Sequence, residues 1–357
     1  MTFASIALHL VAFYAEESSI DLMTWSLAAK GILESGDFYR STFPGNCFCY
    51  PPLWAWLLAP IGALIDPVGQ YQCFAFSSRL PIMVGNLAVG FLLLKKFRAD
   101  GSIFSLWMLN PIAIGVAQAG DFDVLPALLS LLAIWFAERR KPIPSAISLG
   151  LGIAFKIYPI MFLPIILLSF SKRNLKPAVE FFFISLLIPI AASMPYYFLT
   201  PYFIPSLLGY NAPRVSSASF LIYAVVYLLA LLYSRFRGLS ILEASALCLL
   251  PFYLILTPHD QYYVWALVPL FALFASNRLG WDFLAISSLS ILLAVKRYLG
   301  FAAAKWPILL WAMPWIRMAI SVGNALCILF LIFRLAMILG PRNGGSPGCM
   351  DGNDVPT

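Results

Sequence analysis

Three short motifs gather residue types that can move protons and hold phosphates. Asp21 sits in Ser-Ile-Asp-Leu at 19–22, and Asp121 and Asp123 sit in Gly-Asp-Phe-Asp at 120–123. His259, Asp260 and Gln261 form the corner Pro-His-Asp-Gln-Tyr-Tyr at 258–263. Between them in the chain stands Lys156, flanked by Phe155, Ile157 and Tyr158 in an otherwise apolar stretch. A carboxylate can accept a proton from an attacking hydroxyl, and a lysine ammonium can hold a phosphate as a point charge. Aromatics such as Trp25, Tyr50, Trp54, Tyr262 and Trp265 can stack on sugar rings, although a membrane aromatic belt is their ordinary role. Each motif also has a plain alternative. Asp121 and Asp123 suit a solvated turn, His259 suits an interface, and Lys156 can snorkel.

The elements that must position these residues are apolar helices. The chain has 357 residues, 61% hydrophobic and 11% charged, against about 45–50% and about 25% in soluble domains. That composition excludes an ordinary soluble enzyme, a disordered chain and a disulfide scaffold. The expectation is an all-α polytopic membrane protein, with spans near 1–15, 79–94, 102–118, 124–137, 143–155, 157–170, 177–199, 218–234, 240–257, 263–276, 281–296 and 317–335. This is roughly twelve, several of them short for a bilayer. The first lacks the basic start and small-residue cleavage site of a signal peptide.

In a soluble protein a net charge of +7 would suggest nucleic acid. Here the basic clusters alternate with the spans: Lys95, Lys96 and Arg98; Arg139, Arg140 and Lys141; Lys172, Arg173 and Lys176; Arg235 and Arg237. This fits the positive-inside rule, with no nucleic-acid partner and both termini cytoplasmic. Asp21, Asp121, Asp123 and the His259–Gln261 corner then share the external side. Lys156 falls at the tip of a hairpin, 143–170, whose ends are both basic. An ionisable group at membrane depth is a functional hypothesis by default. A crevice with these residues suits a substrate with a lipid tail, a phosphate and a polar head.

Residues 1–340 read as one membrane domain, and 341–357 as a disordered cytoplasmic tail rich in Gly, Pro and polar residues. Residues 16–78 read as a long external loop with its own helices. Within it, Ile20, Trp25, Ala28, Ala29, Ile32 and Leu33 follow helical spacing up to Gly36. The segment 51–65 reads as an interfacial helix. Cys47, Cys49 and Cys73 share this loop, so a disulfide from Cys73 to Cys47 or Cys49 and unpaired cysteines are equal expectations. No Cys/His metal spacing occurs. No internal repeat is visible, which counts against a secondary transporter or flippase, the rival class.

The sequence resembles the type C glycosyltransferases at three blocks: Ile20 to Pro60, Gly120 to Ile165 and Asp260 to Leu270. It is similar in particular to polyprenyl-phosphate-mannose-dependent mannosyltransferases, among them the catalytic subunits of the first mannosyltransferase of glycosylphosphatidylinositol (GPI) assembly. The run Phe155-Lys156-Ile157-Tyr158-Pro159 is the most specific match.

The resemblance implies an integral enzyme of the plasma membrane or endoplasmic reticulum, with its site on the external or lumenal face. It implies inverting transfer of mannose, or of another sugar in a related enzyme, from a polyprenyl-phosphate donor to a lipid or glycan acceptor. Asp21 would be the catalytic base. Lys156, Gln261, His259 and Asp260 would hold donor phosphate and sugar. Asp121, Asp123, Tyr50 and Tyr158 would bind the acceptor or line the crevice. A small membrane subunit is a further implied partner. The family's first acidic position is Ser19 here, so a two-carboxylate metal site is not expected and the reaction is read as metal-independent. Ala119 and Asp121 replace the family's Arg and Asn, a change that bears on the acceptor.

Overall fold

A computed structural model describes residues 1–15, 19–42, 48–97, 99–171, 175–208, 217–255, 262–276, 285, 288–292 and 313–338. Among these the chain is helical, with no strand. The first stretch holds α1 (Thr2–Ala15), α2 (Ile20–Ser35), α3 (Phe38–Thr42) and α4 (Leu53–Leu64). Next come α5 (Tyr71–Lys96), α6 (Gly101–Met108), α7 (Pro111–Gln118), α8 (Val124–Glu138) and α9 (Pro142–Phe155). A 3₁₀ turn, Tyr158–Phe162, leads into α10 (Leu163–Ser171), followed by α11 (Leu175–Leu199), α12 (Phe203–Leu208) and α13 (Ser217–Arg237). The last are α14 (Ile241–Ile255), α15 (Tyr263–Ser276) and α16 (Met313–Ile338).

Five of the described segments are long and apolar enough to cross a bilayer: Tyr71–Lys96, Gly101–Gln118, Leu175–Leu199, Ala218–Arg237 and Pro314–Arg334. The outer faces of α11 (Val179, Phe183, Leu187, Ile190) and α13 (Leu221, Val225, Leu228, Leu232) are exposed and apolar. Apolar faces of that extent belong against lipid. Other apolar helices are shorter, such as Val124–Glu138 and Pro142–Phe155. They pack in the interior, with α9 lying between α8 and α11. Gly150 makes this possible: a Cβ there would stand 2.9 Å from the Ser185 carbonyl oxygen. Small residues that let backbones approach are the usual way membrane helices pack.

Three boundaries differ from the hydropathy reading. The span expected at 102–118 is two half-helices, because buried Asn110 caps α7: its Oδ1 accepts from the Ile112 and Ala113 amides at 3.0 and 3.3 Å, with Pro111 at the first helical position. α5 begins at Tyr71, not 79, so 71–78 belong to a core helix rather than to the external loop. The hairpin 143–170 does turn at Lys156, but α10 packs on α11 and α14 rather than back along α9.

Within the loop, α2 forms where its spacing predicts. Gly36, at φ 73°, closes it with its N–H on the Ile32 carbonyl, a conformation that favours glycine. Trp25, Ala28 and Ala29 are buried, while Ile20 and Leu33 are exposed. No disulfide joins Cys73 to Cys49, and Cys73 is unbridged and exposed. The expected tail, 341–357, lies outside the described residues, as does Cys47.

Candidate active site

The site is built on the turn between α7 and α8. Gly120, at φ 84°, reverses the chain, and its N–H bonds the Ala117 carbonyl while the Asp121 N–H bonds that of Val116. Phe122 then stacks on Trp54, with ring centroids 4.8 Å apart. Asp123 occupies the N-cap position of α8 but makes no side-chain cap. The next residues explain this. An N-cap carboxylate bonds the second or third helical amide. Here the second, Leu125, already bonds the Phe122 carbonyl, and the third is Pro126, which has no N–H.

The Asp123 carboxylate is therefore available to other elements. Its Oδ1 accepts from the Lys156 ammonium at 2.8 Å and from the Trp265 indole N–H at 2.6 Å. Lys156 is the residue at which α9 ends, in extended backbone at φ −155°. Its ammonium lies 4.8 Å from the ring centre of Tyr50, 5.0 Å from Tyr262, 5.5 Å from Phe122 and 5.8 Å from Trp265. Tyr158 stacks on Trp265 with centroids 3.7 Å apart and planes 6° apart, and its hydroxyl donates to the Asp123 carbonyl. Burial pushes the Asp123 carboxyl above its ordinary pKa, and Asp121 adds to that, while the Lys156 charge opposes it. The pair is nearly dry: Lys156 is 6% exposed and Asp123 1%.

The start of α2 is fastened to the same turn. Ser19 accepts from the Leu22 amide at 3.1 Å, capping the helix, and donates to the Ala119 carbonyl at 2.7 Å. Trp25 donates its indole N–H to the Gly120 carbonyl at 2.9 Å. Asp21 lies in the first turn of α2, half-buried, one turn before Trp25 on the same helix face. A negative charge is favourable at that end of a helix.

Five of the residues picked out by sequence thus meet at one place: Tyr50, Asp121, Asp123, Lys156 and Tyr158, while Asp21 stands on the helix fastened to the same turn. Asp121 is buried beside the ion pair. Tyr50 is held through its carbonyl by the Tyr39 hydroxyl, at 2.8 Å. His259, Asp260 and Gln261 lie outside the described residues, but Tyr262 and Trp265, just beyond, form part of the cluster. The snorkelling expected as the plain alternative for Lys156 does not occur, since its charge has a partner inside. Trp265 was legible as an aromatic but not as the donor to Asp123. The proline three residues after Asp123 is the one local signal that its carboxylate would be used elsewhere.

Residues 116–212 match the family model described as Mannosyltransferase (PIG-M). The chain is similar to GPI mannosyltransferase 1. The Saccharomyces cerevisiae protein of that name is 26% identical over 176 residues, 47% of this chain and 41% of that protein. The Candida albicans one is 30% identical over 167 residues, 44% and 39%, and the Trypanosoma brucei one 32% over 154 residues, 42% and 34%. The chain thus spans less than half the length of these relatives. No solved structure matches it significantly. The segment shared with the PIG-M family contains the turn, Asp123, Lys156 and Tyr158, whereas α2, Tyr50 and Trp265 lie outside it.

Proposed function

We propose that this chain is a membrane mannosyltransferase that acts in GPI-type glycolipid assembly. It moves mannose from a polyprenyl-phosphate donor to a lipid-linked or glycan acceptor. The observation that supports this best is convergence. Trp25 bonds Gly120, and Lys156 and Trp265 bond Asp123, so residues from all three blocks of family resemblance meet around one turn.

In this reading Asp21 takes the proton from the acceptor hydroxyl. The hydroxyl oxygen bonds to the anomeric carbon as the bond from that carbon to the phosphate oxygen breaks. Polyprenyl phosphate leaves with the electron pair, and the carbon inverts. Lys156 stabilises charge where it develops on the phosphate, and His259, Asp260 and Gln261 hold the phosphate and sugar. With Ser19 at the family's first acidic position, the step needs no metal. The fold is of type C with roughly twelve spans, both termini cytoplasmic and the site on the external or lumenal face of the endoplasmic reticulum or plasma membrane. A small membrane subunit is the expected partner.

The test is transfer from radiolabelled polyprenyl-phosphate-mannose by membranes containing this chain, supplied with phosphatidylinositol-type, polyprenyl-linked and protein-glycan acceptors. A mannosylated product that persists in a chelator is expected. No transfer to any acceptor would overturn the reading, and loss of transfer on chelation would overturn the metal-free step.

A further inference from the structure

Asp123 faces inward, so lining an open crevice is a poor description of its place. Its carboxylate is 1% exposed. Oδ1 takes two donors, Lys156 at 2.8 Å and Trp265 at 2.6 Å. Oδ2 is buried with no hydrogen-bond partner among the described residues. The helix that Asp123 begins makes no use of the side chain. Its backbone carbonyl is held as well, by Tyr158, whose ring lies flat on Trp265. Asp123 is thus fixed from two sides and has one strong partner, the ammonium of Lys156.

Lys156 needs such a partner. Four flexible bonds separate its charge from the backbone, and the end of α9 does not fix where the charge stands. Rings from the 48–50 segment, the α7–α8 turn, α15 and the residue just before it surround it (Tyr50, Phe122, Trp265, Tyr262), and they attract a cation without orienting its N–H bonds. A carboxylate held by a second donor does orient them. It uses one of the three ammonium hydrogens and leaves two for an anion.

We infer that Asp123 is a positioning residue: it holds the Lys156 ammonium in place for the lipid phosphate, with Trp265 holding Asp123. The inference rests on the mannosyltransferase reading for its chemistry, but the ion pair can be tested apart from it.

The experiment is a double-mutant cycle in the full chain with Asp123→Asn, Lys156→Met and the double variant, read by transfer kinetics and by thermal unfolding in detergent. Asp123→Glu serves as the conservative variant. Asp123→Asn should lower kcat about tenfold or more with the acceptor KM unchanged. The double variant should be no slower than Lys156→Met alone, because Asp123 acts only through Lys156. Asp123→Glu should restore part of kcat. In unfolding, the double variant should melt above Lys156→Met, which strands a buried carboxylate.

Wild-type kcat in Asp123→Asn, or a double variant slower than Lys156→Met by the full Asp123→Asn factor, would overturn the positioning role. A double variant melting at or below Lys156→Met would overturn the pairing. If the wild-type chain transfers no mannose, the mannosyltransferase reading fails, and the unfolding arm still decides the pair.

Discussion

Trp265 donates its indole N–H to the same oxygen of Asp123 that receives the Lys156 ammonium, at 2.6 Å and across 142 positions of sequence. That bond ties α15 to the start of α8 and, through Lys156, to the end of α9. Replacing Trp265 by Phe keeps a ring to stack on Tyr158 and removes only the N–H. Hydrogen bonds to charged groups contribute about 1.5–3 kcal/mol. Trp265→Phe should therefore lower thermal stability in detergent by an amount in that range, and Trp265→Ala by more. A Trp265→Phe variant that melts with the wild type would show that the bond adds nothing.

Gly120 is the second structural test. Its φ of 84° is a conformation L side chains rarely adopt, and a Cβ there would stand 2.6 Å from Leu22 Cδ2 and 3.4 Å from Trp25 Nε1. The left-handed backbone alone costs roughly 1–2 kcal/mol for a residue with a Cβ. Gly120→Ala should destabilise by at least that much. It should also loosen α2, because Leu22 and Trp25 are the α2 residues that rest on this turn. Limited proteolysis is expected to open the 19–42 region sooner in the variant; an unchanged digestion pattern would count against the docking.

Asp21→Asn tests the base. Proton transfer by a positioned carboxylate typically contributes about 10²–10⁴-fold, so kcat should fall by about that factor. Retained transfer would reassign the base.

Cys73 tests orientation. It is exposed and unbridged near the start of α5, on the side proposed to be external. An impermeant thiol reagent added from that side of sealed vesicles should label it. Labelling only from the opposite side would invert the proposed topology.

Much of this was legible in the sequence because it is local. The apolar runs mark the helices, since a buried or lipid-facing helix must be apolar. Gly36 marks the end of α2, because glycine accepts positive φ. Asn110-Pro111 marked a break as well, but hydropathy reads straight through it, as two half-helices are as apolar as one. The early start of α5 was hidden for the opposite reason. Residues 71–78 are too mixed to read as a span, and they become helical because they pack on protein.

The residue types of the site were also readable: a carboxylate at 21, two at 121 and 123, a lysine at 156. What only the tertiary structure decided is which of them pair. Sequence left Lys156 between snorkelling and phosphate binding, and Asp123 between a solvated turn and a crevice wall. Their 2.8 Å contact depends on where α9 ends against α8, which Gly150 and the packing of α11 set, and on Trp265, brought in by α15. A charge buried in an apolar core must find its counter-charge, but which one it finds is fixed by helix packing over long sequence separations, and no local pattern of residues records that.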